Sequence, residues 1–240
     1  LIYFSFQIYC DFSGYSDIAI GTSKLFGFEL MSNFKFPYFS RDIGEFWRRW
    51  HISLSTWFRD YLYIPLGGSK RGKWLSIRNI FIIFIVSGFW HGPNWTFIAW
   101  GLIHAFLYIP LFLRGTNRKY ITSIVAKDKW LPNLKELFQI GVTFLLVMIS
   151  WVFFRSENII NALNYLFKMI TQIGLPSDNR GGVIFILLFV LVEWFNRKDE
   201  RDLFRLENKY ARWSVYIFLN YLIIAHFKLI DLSQFIYSQF

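Results

Sequence analysis

Apolar residues are gathered in long runs along this chain, and short basic segments separate one run from the next. Each run is long enough to form a helix that crosses or enters a membrane. The runs cover residues 77–91, Trp95–Leu113, 137–154, 183–195 and 213–229, and a further amphipathic segment covers 158–170. The pattern predicts an all-α, polytopic membrane protein, built as one bundle of transmembrane, re-entrant and interfacial helices over residues 1–240.

The first thirty residues are also apolar, but they include Asp11, Asp17 and Lys24. A charged residue inside a membrane helix costs about 2.5–3.5 kcal/mol on insertion scales, so these side chains need polar surroundings. Asp17 and Lys24 are two helical turns apart and therefore share a face. Two interpretations stay open: an inward-facing polar wall, with Asp17 as a candidate substrate-binding residue, or a segment at the membrane surface. Gly14 and Gly21 have the same spacing and predict the close approach of another helix.

A helix is predicted from Asp42, as its N-cap, to Pro65, with Glu45 at the capping-box position. His51 falls on the bulky apolar face of this helix, whereas Ser53 falls on the polar side. The residues that define the apolar face are Trp47, Trp50, Leu54, Trp57, Phe58 and Tyr61. Taken alone, the pattern also fits an amphipathic helix at the membrane interface, whose histidine bonds a backbone carbonyl.

His91 ends the apolar run 77–91. Those residues would form about 22 Å of helix, which is shorter than the roughly 30 Å core of a bilayer, so His91 is expected at membrane depth. Gly92 and Pro93 break the helix directly after it, and Pro93 is expected to begin the next one. Broken backbone inside a membrane is tolerated only where protein or water satisfies it, so His91 is a functional candidate. The alternative is a plain hairpin turn, with the histidine among lipid headgroups.

Composition agrees with a membrane protein and argues against one that binds nucleic acid. Hydrophobic residues make up 55% of the chain and aromatic residues 22%, well above an ordinary soluble domain. The net charge of +10 comes mostly from loops between the apolar runs, and no basic face is interleaved with exposed aromatic residues. The single cysteine, Cys10, excludes an internal disulfide framework and a multi-cysteine zinc site.

The distribution of Lys and Arg predicts an orientation. If the runs before and after Gly92 form a hairpin, sixteen Lys and Arg lie on one side of the membrane and three on the other. The loops on the richer side are 69–78, 114–136 and 196–212, and the loop on the other side is 155–182. The positive-inside rule places the richer side in the cytoplasm, and the turn that carries His91 toward the outer half of the membrane.

Four motifs, in this order along the chain, resemble the membrane-bound O-acyltransferase family. They are CDFSGYSD at 10–17, the histidine helix and glycine turn at 46–68, SGFWHGPNW at 87–95 and WVFFR at 151–155. The combination is highly specific and is most similar to the branch that contains the membrane subunit of bacterial alginate O-acetyltransferase. Proteins of this family are considerably longer, and this sequence opens without an initiator methionine. The resemblance therefore implies that residues 1–240 are the C-terminal part of one such membrane domain.

The resemblance also implies an activity and a pair of site residues. Family members carry one histidine in a Trp-His pair of the amphipathic helix and one in a Trp-His-Gly turn, which here are His51 and His91. They transfer acyl groups from a cytoplasmic thioester such as acetyl-CoA, with no bound cofactor, toward an extracytoplasmic polysaccharide or partner protein. A periplasmic SGNH-type acetyltransferase partner and a multi-pass location among the lipids of the bacterial inner membrane are implied as well.

Imidazole suits this reaction because its pKa is near neutrality and it can take the proton of an attacking hydroxyl. We expect His91 to be the general base, and His51 to orient the donor, stabilise the developing oxyanion or assist proton transfer. Trp90, Asn94 and Ser53 complete the candidate substrate-binding residues. No metal site is expected, because two histidines lack further clear ligands. His104, in the middle of a predicted span, is expected to be a packed and hydrogen-bonded histidine.

Other functions remain open at this point. D-alanyl transfer to teichoic acid occurs among relatives of the same family. A transporter with proton-relaying histidines is a different class, which inverted repeats would favour, and the sequence shows none. A non-catalytic scaffold for a periplasmic acetyltransferase is a third possibility.

Overall fold

The computed structural model of the protein describes residues 1–172, 181–199 and 206–226. All regular secondary structure in these ranges is helical, which confirms the predicted fold class. The α-helices in chain order are α1 (Ile2–Leu25), α2 (Ile43–Arg49), α3 (Ile52–Phe58), α4 (Lys73–His91), α5 (Trp95–Leu113), α6 (Leu134–Arg155), α7 (Ile159–Thr171), α8 (Gly181–Asn196) and α9 (Lys209–His226). A 3-10 turn, Pro37–Phe39, precedes α2, and a π-helical turn, Arg59–Tyr63, continues α3.

Three of the described helices, α4, α5 and α6, are long and apolar enough to cross a membrane. They coincide with three predicted runs, although α4 begins at Lys73 instead of residue 77 and α6 is longer at both ends. The other two predicted spans form α8 and α9, which are not among these three, and α8 has only 16 residues. The end of the predicted span 213–229 lies outside the described residues.

Helices α4 and α5 form a hairpin in which two glycines allow the backbones to touch. A Cβ atom added at Gly88 would lie 2.3 Å from the carbonyl oxygen of Phe97, and one at Gly101 would lie 2.2 Å from that of Phe84. No real side chain tolerates such distances, so these two glycines set the separation of the helices. The hairpin on which the predicted orientation depends is therefore present.

The close packing predicted at Gly14 and Gly21 is not confirmed. A Cβ atom added at either position would meet nothing within 4 Å among the described atoms. Spacing alone marks a smooth strip on a helix, but it does not show whether a neighbouring helix approaches that strip.

The helix predicted from Asp42 to Pro65 is broken at its centre, and this part of the prediction is wrong. Trp50 is extended (φ −105°, ψ 127°) and His51 is left-handed (φ 44°, ψ 57°), so α2 and α3 are separate helices. The segment 33–35 satisfies the backbone at the break: Lys35 N–H donates to Arg49 C=O, and Ile52 N–H donates to Asn33 C=O. Hydrogen bonds from a remote segment thus replace those that a continuous helix would have made.

Asp42 caps α2 as predicted, accepting the Glu45 N–H at 2.7 Å. The reciprocal half of the capping box is wrong, because the Glu45 carboxylate accepts the N–H of Arg41 at 2.8 Å instead of that of Asp42. Glu45 is fully buried and also pairs with the guanidinium groups of Arg41 (3.0 Å) and Arg49 (2.7 Å), while Arg41 reaches Glu136 on α6 (3.2 Å). The carboxylate is therefore engaged in an ion-pair cluster that fixes the start of α2 against α6.

Aromatic side chains enclose the end of α2 and form the main core. Trp50 is only 3% exposed, and its ring contacts those of five neighbours from α1, α2, α6 and the segment before α2. These neighbours are Tyr9, Phe34, Tyr38, Phe46 and Trp151. Such dense packing at the break leaves the backbone of the adjacent residue, His51, little freedom.

Hydrogen bonds between connecting segments show which loops share an end of the bundle. Arg197, just after α8, donates to backbone carbonyls of the loop between α5 and α6, which are those of Val125, Ala126 and Lys129. At the other end, Asn94 before α5 donates to the carbonyl of Glu157 after α6. Two of the three loops that the charge pattern assigns to the cytoplasm therefore lie together, and the His91 turn lies with the opposite end.

Candidate active site

His91 is the last residue of α4, and the described structure leaves it only 6% exposed. Gly92 follows with φ 152°, a conformation that favours glycine, so the chain can leave the helix directly after the histidine. The imidazole packs edge-on against aromatic rings at centroid distances of 5.0 to 5.1 Å. These rings belong to Trp90, Trp100 and Phe154. His91 therefore lies at a helix end, as predicted, and aromatic rings enclose its side chain.

His51 lies in the break between α2 and α3, and not on the face of one continuous helix. Its ring packs edge-on against Phe12 of α1 at 4.6 Å and lies 6.3 Å from the ring of Trp90. The Ser53 hydroxyl lies 3.5 Å from its Nδ1 atom. Burial lowers the pKa of His51 to about 4, so its imidazole is neutral at physiological pH.

The two histidines converge although 40 residues separate them in the chain. Trp90 contacts both rings, with its ring centroid 5.0 Å from that of His91 and 6.3 Å from that of His51. Trp90 is itself 55% exposed, so it forms the outward wall of the site. The structure thus brings together His51, Trp90 and His91, three of the site residues that the sequence predicts.

Both polar atoms of the Asn94 side chain form hydrogen bonds within the protein. Its Oδ1 atom accepts the N–H of Thr96 at 3.1 Å, and its Nδ2 atom donates to the Glu157 carbonyl at 2.7 Å. Asn94 is therefore the N-cap of α5 and ties it to the segment before α7, and its place among the substrate-binding residues stays a prediction. Pro93 precedes this cap, so the expectation that Pro93 begins the helix is wrong.

Ser53 lies beside His51 as expected of a residue in the site, but Asp17 lies elsewhere. Asp17 lines a polar cavity of about 430 Å³ between α1, the segment 32–36 and α8, together with Lys24, Glu193 and Asp199. Asp17 and Lys24 are both exposed, so the cavity agrees with either interpretation of α1, an inward-facing polar wall or a segment at the membrane surface. Asp17 has no described contact with either histidine, and its place among substrate-binding residues stays a prediction.

His104 is fully buried and its two ring nitrogens are both hydrogen-bonded, as expected of a packed histidine. Its Nδ1 atom accepts from the indole N–H of Trp47 at 3.2 Å, so the neutral ring carries its proton on Nε2. Nε2 then donates to the Ser150 hydroxyl at 2.9 Å, which in turn donates to the Val147 carbonyl at 2.6 Å. This chain of bonds ties α2 to α5 and α6, and it thereby places His51 relative to His91.

Sequence reasoning missed the part that Asn33 plays beside His51. Asn33 lies in the connection between α1 and α2, where an asparagine is ordinary, so nothing in the sequence singles it out. Among the described residues, no three His, Cys, Asp or Glu side chains converge as metal ligands would.

Comparison with known proteins identifies a matching family model and several relatives with similar sequences. Residues 1–118, which include both histidines, match the model of the membrane-bound O-acyltransferase family. A probable alginate O-acetylase of Pseudomonas syringae pv. tomato is 50% identical over 153 residues, which are 64% of this chain and 27% of that protein. A peptidoglycan O-acetyltransferase of Helicobacter pylori is 42% identical over 168 residues, covering 70% and 30%. A teichoic acid D-alanyltransferase of Bacillus subtilis is 35% identical over 164 residues, covering 64% and 40%. The chain spans well under half the length of each relative.

Proposed function

Because residues 1–118 match the model of the membrane-bound O-acyltransferase family, we propose that the chain is part of a bacterial enzyme of that family, which acetylates an extracytoplasmic polysaccharide. The donor is a cytoplasmic thioester such as acetyl-CoA, and the enzyme is a multi-pass protein of the inner membrane. A periplasmic SGNH-type acetyltransferase is the proposed partner at the outer face. The convergence of His91 and His51 around Trp90 is the observation that supports this function most directly.

In the proposed reaction, His91 accepts the proton of the acceptor hydroxyl while its oxygen attacks the thioester carbonyl carbon. Collapse of the tetrahedral intermediate breaks the carbon–sulfur bond, and the leaving thiolate takes up the proton from His91. The imidazole must be neutral to begin the cycle, and the aromatic enclosure around it disfavours the charged form. His51, which is neutral for the same reason, assists by orienting the donor or by sharing the proton.

Acetyl is favoured over D-alanyl as the transferred group because of the similarity to relatives. The alginate and peptidoglycan O-acetylating proteins are 42–50% identical to the chain, whereas the D-alanyltransferases are 35–36% identical. D-alanyl transfer is the second candidate. Membrane vesicles supplied with tritiated acetyl-CoA, or with a D-alanyl carrier protein, distinguish the two by which label enters extracytoplasmic polymer.

The test of the mechanism is the His91→Gln substitution in the full-length parent protein. Glutamine keeps a polar amide but has no basic nitrogen, so transfer should fall by about 10²–10⁴-fold, as for the loss of a general base. Protein abundance and membrane insertion should stay normal, which separates chemistry from folding. Near-normal acylation by His91→Gln would show that His91 is not the base and that its position at the helix break is structural.

A further inference from the structure

Helix α3 begins without a cap of its own. His51 is its N-cap residue, but the His51 side chain makes no capping hydrogen bond, and the left-handed backbone of His51 is a conformation that persists only where its surroundings hold it. The first N–H groups of α3 must therefore find acceptors elsewhere. Both acceptors come from one residue, Asn33, which lies 18 positions earlier.

Asn33 binds three donors of α3 at once. Its backbone carbonyl accepts the Ile52 N–H at 2.9 Å, and its Oδ1 atom accepts the Ser53 N–H at 3.2 Å and the Ser53 hydroxyl at 2.6 Å. Its Nδ2 atom donates to the Ser16 hydroxyl of α1 at 3.2 Å. A backbone N–H can only donate, so the bond from Ser53 N–H fixes which side of the amide is oxygen.

The directions of these hydrogen bonds also bear on which ring nitrogen of His51 carries the proton. The Asn33 oxygen can only accept, so the Ser53 hydroxyl donates its proton to Asn33 and leaves its lone pairs toward His51 Nδ1, at the long distance of 3.5 Å. That arrangement favours a proton on Nδ1 of the neutral ring. Nε2 then carries a lone pair, and it can accept a hydrogen bond or a proton within the site.

We propose that Asn33 is the positioning residue of the acyl-transfer site: it holds the backbone break at His51 and, through Ser53, orients the imidazole with Nε2 available. The proposal rests on the acyl-transfer role proposed above for His51. Asn33 touches no reacting atom in this scheme, so its contribution appears as geometry at His51. A displacement of about 1 Å at a reacting group can cost on the order of 10²-fold in rate.

Two substitutions of Asn33 in the full-length parent separate positioning from packing. Asn33→Leu keeps a similar volume but removes the acceptor, whereas Asn33→Asp keeps an acceptor oxygen for both Ser53 donors. We expect Asn33→Leu to lower kcat by about 10- to 100-fold with an unchanged KM for tritiated acetyl-CoA in membrane vesicles. Asn33→Asp should restore kcat to within a few-fold of the parent. If leucine retains full kcat, or if aspartate fails as badly as leucine, the proposal is overturned.

Controls distinguish a failure of the proposal about Asn33 from a failure of the proposed acyl-transfer function. Asn158 caps α7 through the same kind of side-chain bond, to the Asn161 N–H, but at an exposed position, so Asn158→Ala should leave kcat unchanged. If the leucine protein does not accumulate, Ser53→Ala replaces it, because it deletes only the hydroxyl held by Asn33; an unchanged kcat there overturns the proposal. His51→Ala is measured in parallel. An inactive His51→Ala with a fully active Asn33→Leu refutes the inference about Asn33 alone, whereas an active His51→Ala refutes the role of His51 itself.

Discussion

Replacing Gly101 by alanine should force α4 and α5 apart and displace His91. The added methyl group would lie 2.2 Å from the Phe84 carbonyl oxygen and 2.9 Å from its carbon, both of which are backbone atoms that no rotamer change can move. The helices would have to separate by roughly 0.8 Å to reach even 3.0 Å, the shortest distance that real Cβ atoms show. His91 ends α4, so a shift of that helix moves the proposed base relative to His51.

The expected magnitude has a stability part and an activity part. Overpacking of this kind costs typically 1–3 kcal/mol, which corresponds to a loss of about 2–10 °C in the melting temperature of the purified parent in detergent. A displacement approaching 1 Å at His91 should lower acetyl transfer by roughly 10²-fold. The melting temperature is measured by heating the purified protein and recording the loss of its monodisperse peak in size-exclusion chromatography. Acetyl transfer is measured as the tritium that passes from acetyl-CoA into polymer in membrane vesicles.

Gly141 in α6 is the matched control. A Cβ atom there would meet nothing within 4 Å, and alanine is the better helix former by about 1 kcal/mol. Gly141→Ala should therefore melt no lower than the parent and transfer acetyl groups at a normal rate. If Gly101→Ala matches Gly141→Ala in both measurements, the two helix backbones are not in contact, and the argument that the hairpin sets the position of His91 is wrong.

Two further predictions concern orientation and pH. With the native Cys10 replaced by serine, cysteines at Lys70 and Lys119 should resist a membrane-impermeant maleimide in intact cells, whereas a cysteine at Glu157 should react; the reverse pattern would invert the proposed topology. Burial lowers the pKa of His51 to about 4, so the ring stays neutral down to that pH. The acid limb of kcat/KM that His51 contributes should lie below pH 5, and a limb centred near 6.5 that disappears in His51→Asn would contradict its burial.

Local signals in the sequence were sufficient to predict most helix positions. Gly92 and Pro93 interrupt the apolar sequence between the runs 77–91 and Trp95–Leu113, so the start of α5 at Trp95 could be predicted, whereas the role of Asn94 as its cap was missed. The run of apolar residues then extends to Leu113, where the predicted and observed helices both end. The all-α architecture and the helix break between α4 and α5 can therefore be predicted from the sequence.

The break at His51 could not be predicted in the same way. The stretch Trp47–Phe58 contains no glycine or proline, and its aromatic residues recur at helical spacing, so the sequence predicts a continuous helix there. The groups that satisfy the broken backbone belong to residues 33–35, and a sequence does not show which remote carbonyl will meet which N–H. The same limit applies to Gly88 and Gly101: the sequence does not show that the backbone of the neighbouring helix leaves no room for a Cβ atom at either position.

Both proposed catalytic histidines lie where a helix is interrupted, and the two interruptions are stabilised from outside. At His91, Gly92 allows the turn and Asn94 ties the next helix to the segment before α7. At His51, Asn33 supplies the missing cap. Each histidine is thus held by rigid helices and by hydrogen bonds to the backbone beside it. A base must keep its position to within a fraction of an ångström while the substrate reacts, and supports of this kind provide that constraint.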